Sequence, residues 1–260
     1  MVIFNKDELV SHINSIDERR EIRRVIDKID IVLSSFIMSS TDFLNPHEVN
    51  LAKSVLNRFK DEISYEVDGG YNDAENCIIY IYPSYETDIL NEDIDIFRFE
   101  SIPTIKHKDV LGSLLGLGIE RKKIGDILIG RKYTYFFAKN EISSFVELSL
   151  NKISRYNVKI ERVEDVSEIP KKEYIYKDII VASPRLDSIV SSCLNISRSN
   201  AKNKIKSGEV KLNYSVEDRP SVEVSAGDLI SVRKFGRFQI DEFYKKTKRG
   251  NIVLKIKINK

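Results

Sequence analysis

The residues best suited to act on a partner are cations. Arg198, Lys202 and Lys206 recur at i, i+4 and i+8, so a helix through them carries three positive charges on one stripe. Arg185, Lys211 and Arg233 flank that stripe in sequence, and Ser199 and Asn213 add uncharged hydrogen-bonding groups. Such a set breaks no bonds. Lysine and arginine neutralise phosphates, and each neutralised phosphate releases condensed counterions, so the chemistry on offer is nucleic-acid binding. The run Arg121-Lys122-Lys123 offers a second contact of the same kind. Catalytic candidates are thin. His107 precedes Asp109, but a single histidine near a helix start is more often structural, and with three His in the chain no Ser/His/Asp or Cys/His set emerges. No catalytic residue, metal or cofactor is therefore expected. Cys77 and Cys193 are too far apart for a Cys-x-x-Cys zinc site and suit a reduced, cytoplasmic protein. Gly116-Leu117-Gly118 lacks the third glycine of a dinucleotide fingerprint, and no Gly-Lys-Ser/Thr phosphate loop occurs.

Local signals place the cations. Ser183-Pro184 is a capping residue followed by the imino acid that suits the first helical position, and predicts a helix start. Leu186, Ile189, Val190, Cys193 and Leu194 then form one apolar helix face. Ser197 caps a second short helix with Ala201 and Ile205 inward, and Gly208 ends it. Strand-like Val210-Lys211-Leu212, a turn at Asn213-Tyr214 and a strand after Gly227-Asp228 follow. Charge supports the reading. Residues 185–260 hold 17 Lys and Arg against 8 Asp and Glu, whereas residues 1–184 hold 25 against 32.

Arg185-Leu186-Asp187, Ser197-Arg198-Ser199-Asn200-Ala201, Ile205, Gly208, Val210, Asn213, Gly227-Asp228 and Val232-Arg233 together resemble the S-four RNA-binding domain. That resemblance implies binding of structured ribosomal or transfer RNA through the second helix and the adjoining strand. The sequence departs from it at Tyr214, where the family often has glycine.

The rest of the chain divides by periodicity. Residues 1–62 predict a helical region: Lys6 to Asn14, Asp17 to about Met38, and a helix from Asn45-Pro46 through Val49, Ala52, Leu56 and Phe59. Arg19, Arg20, Arg23 and Arg24 read as a solvated face. Residues 63–165 alternate strands with helices, which predicts a ferredoxin-like (RRM-like) plait. Its strands are expected at Ile63–Val67, Cys77–Tyr82, Ile94–Phe99, Gly125–Gly130, Lys132–Ala138 and Tyr156–Val163, and its helices at Lys106–Leu117 and Ser143–Ile153. Gly112 and Gly116, four apart, suggest close backbone packing. Residues 166–182 form a linker that gains a strand at Tyr174–Val181, and residues 183–260 the S-four-type domain. The fold class is α+β. No stretch approaches a membrane span or a signal peptide.

This domain order, with Leu111-Gly112-Ser113-Leu114-Leu115-Gly116-Leu117-Gly118-Ile119 and Ile124-Gly125-Asp126-Ile127, resembles the YlmH-type family of bacterial RNA-binding proteins. The resemblance implies a non-catalytic protein on the ribosomal large subunit, handling obstructed subunits that carry peptidyl-tRNA, with rRNA and tRNA as partners and an association with cell-division genes; a monomer is expected. Two alternatives differ in class. Arg185-Leu186-Asp187 superficially matches the sequence around the attacking Asp of pseudouridine synthases, which would make the chain an RNA-modifying enzyme (a methyltransferase being the other form of that reading), and a scaffold for septum assembly is the other.

Overall fold

Ser15 opens the first long helix by accepting a hydrogen bond from the Glu18 amide, with Asp17 and Glu18 in the positively polarised first turn. This is seen in a computed structural model that describes residues 5–13, 15–87, 92–164, 169–170, 172–247 and 250–259. Helix α1 (Lys6–Leu9) is shorter than expected, and α2 (Ile16–Ser35) buries Ile22, Val25, Ile26, Ile29 and Val32. It stops before Met38 because Phe36 takes a left-handed φ of 58° and turns out to solvent. After strand β1 (Ser39–Ser40), α3 (Pro46–Leu56) begins at the predicted Asn45-Pro46. Asn45 accepts from the His47 and Glu48 amides, and the Glu48 carboxylate in turn accepts from the Asn45 amide at 2.8 Å.

Strands β2 (Ile63–Asp68) and β3 (Ile78–Pro83) join β1 in an antiparallel sheet of order β1-β3-β2 under these helices. The sequence placed them in the plait. Instead β3 is buried on both faces, so its run Ile78-Ile79-Tyr80-Ile81 shows no alternation that would assign it to a layer. Ile79 and Ile81 face the helices, while Ile78 and Tyr80 face the second sheet.

That second sheet is the plait. Strand β4 (Ile94–Glu100), helix α4 (His107–Gly116), β5 (Ile124–Ile129), β6 (Tyr133–Lys139), helix α5 (Ser143–Ser149), the two-residue β7 (Lys152–Ile153) and β8 (Tyr156–Asn157), and β9 (Glu161–Val163) follow in order. Its order β5-β6-β4-β9 with antiparallel neighbours is the βαββαβ arrangement expected. The predicted helix over 143–153 ends at Ser149, and the strand over 156–163 is two short pieces. Phe97, Phe99, Phe136 and Ala138 pack against α4 and α5; Ile96, Leu128, Tyr135 and Phe137 pack against β3 and Phe43. Helices, sheet, sheet and helices thus stack in one unit, residues 1–170. Gly112 and Gly116 do not pack closely against anything, since a Cβ on either would meet open space; that expectation is overturned.

The second unit covers residues 171–260. It contains β10 (Tyr174–Val181), α6 (Leu186–Leu194), α7 (Arg198–Lys206), β11 (Val210–Leu212), β12 (Ser215–Val216), β13 (Leu229–Val232), β14 (Gly236–Lys246) and β15 (Ile252–Asn259). The strands form a sheet of order β10-β15-β14-β13-β11-β12. Strand β10, expected in the linker, pairs with β15 along its whole length and belongs to this sheet. Helices α6 and α7 cover one face, where Leu186, Ile189, Val190, Ala201 and Ile205 meet Ile230, Val232, Ile240, Leu254 and Ile256. Among the described residues no helix is long and apolar enough to cross a membrane.

Candidate nucleic-acid interface

The helix α6 begins at Leu186, not at Ser183-Pro184. Residues 184–187 run beside 220–224, so the Leu186 and Asp187 amides donate to the Val222 and Pro220 carbonyls (2.9 and 3.0 Å) and need no serine cap. Arg185 becomes the extended N-cap residue. Asp187 then enters the first turn with its side chain wholly buried between the two helices. Ser197 caps α7 by accepting from the Asn200 amide at 3.2 Å, as predicted, and Gly208 ends the helix at φ 72°.

Three of the predicted cations converge on Asp187. Arg198 reaches it through Nε (3.2 Å) and a second guanidinium nitrogen (3.2 Å), Arg185 through Nε (3.3 Å), and Lys202 stands at 3.9 Å. Burial alone would raise the Asp187 carboxyl, but hydrogen bonds from Arg198 and then Arg185 outweigh it and leave it below the ordinary aspartate value. Both arginines stay partly exposed, with N–H groups left over for a ligand. An arginine docked edge-on to a buried carboxylate loses rotamer freedom before it meets RNA, so the geometry is pre-organised. Ser199 and Lys206 are exposed on the same helix.

The other predicted residues separate. Lys211 pairs across the sheet with Ser231, whereas its neighbours Val210 and Leu212 pack into the core beneath the helices; its side chain therefore stands on the sheet face away from α7. The single ridge expected from sequence is thus split. Asn213 works inside the domain: its amide donates to Asp228 (2.7 Å) and its carbonyl accepts from the Leu229 amide (2.9 Å). Asn213 and Tyr214, at φ 49° and 73°, form the two-residue turn between β11 and β12, so tyrosine holds a backbone position that glycine adopts more easily. Arg233 is exposed at the turn between β13 and β14, and the residues after it were missed: Lys234, Phe235 and Arg237 are exposed too, with Lys204 5.1 Å from the Phe235 ring. Two cations and an aromatic around Gly236 were the available signal.

The run Arg121-Lys122-Lys123 is engaged within the chain. Lys122 and Lys123 hold Asp42 at 3.1 and 2.5 Å, Lys123 also pairs with Glu141, and the Arg121 guanidinium bonds the Ile124 carbonyl. Hydrogen bonds from these lysines outweigh burial and lower the Asp42 carboxyl. The run thus joins residues 41–44 to the plait. Gly125-Asp126 is part of that joint. Asp126 accepts from the Tyr71 hydroxyl (2.6 Å), the Glu75 amide (2.7 Å) and both nitrogens of Asn76 (3.1 and 2.6 Å). The sheet face that an RRM-like plait would offer to RNA is here occupied, with Tyr135 and Phe137 buried under Tyr80 and Phe43.

Comparison with known proteins agrees with this architecture. Residues 17–86 match the family model "YlmH, N-terminal", residues 94–167 "Putative RNA-binding domain in YlmH", and residues 184–230 "S4 domain". The chain is 30% identical over 239 residues to the Ribosome-associated protein quality control protein P2 of Bacillus subtilis (strain 168), covering 90% of this chain and 92% of that protein. It is similar in fold to the solved Cell division protein ylmH from Streptococcus pneumoniae, with a TM-score of 0.53 and 21% identity over 65% of this chain and 100% of that one.

Proposed function

The chain belongs to the YlmH family, and from that premise we propose that it is a non-catalytic RNA-binding protein acting on the ribosome. In this reading it recognises rRNA and tRNA on obstructed large subunits, as part of translation quality control. The observation that carries it is the exposed face of α7, where Arg198 and Arg185 are fixed on the buried Asp187 and Lys202 and Lys206 extend the same stripe. Its partner is folded RNA, recognised by shape and phosphate position, because the major groove of an A-form helix is too narrow for side chains to read. The protein acts as a cytoplasmic monomer.

The enzyme reading loses its main support. Asp187 was the residue that could have attacked a nucleoside, and its carboxylate is buried and held by two guanidinium groups.

The test combines binding with localisation. Reversing Arg198, Lys202 and Lys206 to Glu is expected to abolish co-sedimentation with large subunits at moderate salt. Each single reversal should flatten the log–log salt dependence of RNA binding by roughly one. Unchanged affinity in the triple variant would refute the assignment, as would loss of one specific modified nucleoside from RNA of a deletion strain.

A further inference from the structure

Among the described residues, the six-stranded sheet of the second unit has helices on one face only, and the register identifies what stands on the other. Residues directly opposite one another in neighbouring strands share a face. Tyr176 pairs with Lys257, and Lys257 with Gln239; in the adjacent row Arg237 pairs with Ser231, and Ser231 with Lys211. Tyr174, two residues before Tyr176, stands on the same side. The path from β10 to β11 crosses four strand spacings, about 19 Å.

Aromatic rings and cations alternate along it. Lys257 Nζ lies 3.9 Å from the centre of the Tyr174 ring, and Arg237 Cζ lies 5.7 Å from that of Tyr214. Tyr174 and Tyr176 are 36% and 55% exposed. Carboxylates on this face lie in the neighbouring row, where Glu242 holds Lys255 at 2.7 Å and Asp178 pairs across from the same lysine. Among the described residues Lys257 has no carboxylate partner.

We propose that this outer face is a second nucleic-acid site, which takes unpaired RNA nucleotides by stacking them on Tyr174 and Tyr176 while Lys257, Arg237 and Lys211 follow the phosphates. A ring that already accepts an ammonium over its face is accessible and electron-rich there. A base replaces the ammonium, and the displaced lysine turns to the phosphate beside it. An acidic protein segment would use the lysines but would gain nothing from flat, spaced rings. The site is independent of α7, which covers the opposite side of the sheet. A chain with both faces in use would hold a structured element on one and an adjoining single strand on the other.

The test uses the full chain, a short labelled oligouridylate and a hairpin RNA of similar charge. Tyr174→Ala and Tyr176→Ala should each weaken oligouridylate binding about ten-fold, the cost of one lost base stack, and the Phe variants should bind like the parent. Hairpin affinity should stay unchanged in these variants and fall in the Arg198 and Lys206 reversals, so each face can fail without the other. The proposal is overturned if the double Ala variant binds oligouridylate normally, or if Phe is as damaging as Ala. It is equally overturned if the tyrosines prove to hold a protein whose capture survives ribonuclease.

Discussion

Replacing Asp187 by Asn isolates the element on which the helix-face reading rests. The substitution keeps size and shape and removes one charge from a fully buried site that accepts three guanidinium hydrogen bonds at 3.2–3.3 Å. Breaking a buried ion pair costs about 3–5 kcal/mol, because a charge is left uncompensated. Here the charges left behind belong to arginines that remain partly in water, and Asn can still accept one bond, so screening reduces the expected loss to about 2 kcal/mol. Urea denaturation followed by tyrosine emission measures this, since the chain has no tryptophan. Binding supplies the sharper test. The variant is one unit more positive, so simple attraction predicts tighter RNA binding with a steeper salt dependence. Pre-organisation predicts the opposite, weaker binding of folded RNA by about ten-fold, because Arg185 and Arg198 must be ordered at the moment of contact. Tighter binding by Asp187→Asn, or unchanged stability, would refute the argument. The pH dependence follows the same group. Its folded-state carboxyl lies below the ordinary 3.8, so its stabilisation is complete above that value and is lost as pH falls towards the lowered one. The parent should therefore lose more stability than the Asn variant on acidification below about pH 4.

Two further outcomes check other parts of the structure. Gly125→Ala would place a Cβ 2.7 Å from the Phe43 ring and 3.0 Å from the Phe137 side chain, an overpacking expected to cost about 2 kcal/mol in the urea midpoint while RNA affinity per folded molecule is unchanged. Burial pushes the Cys193 thiol up to about 12, so it should resist iodoacetamide at pH 8 in the native protein and react once unfolded, as peptide mass spectrometry can show.

The joint around Asp126 changes how the first unit is understood. A plait with one bare sheet face could take RNA there, but this one has that face covered by β3 and Phe43 and locked by the four bonds to Asp126. The cations of residues 121–123 are spent in the same joint. Residues predicted as a second RNA contact thus also hold two layers together.

Local order was written plainly in the chain. The helix start at Asn45-Pro46, the cap at Ser197, the stop at Gly208 and the charge bias of the C-terminal part all depend on residues near one another in sequence, and each is found where the pattern put it. Partnership was not legible there, because it depends on which distant carboxylate or aromatic the fold brings within reach. Asp187 turned Arg198 from a lone phosphate ligand into half of a fixed pair, and Asp42 took Lys122 and Lys123 out of play. Strand pairing moved Lys211 to the far face: alternation says that a strand has two sides, and only the neighbouring strands and the helices above them decide which side meets water.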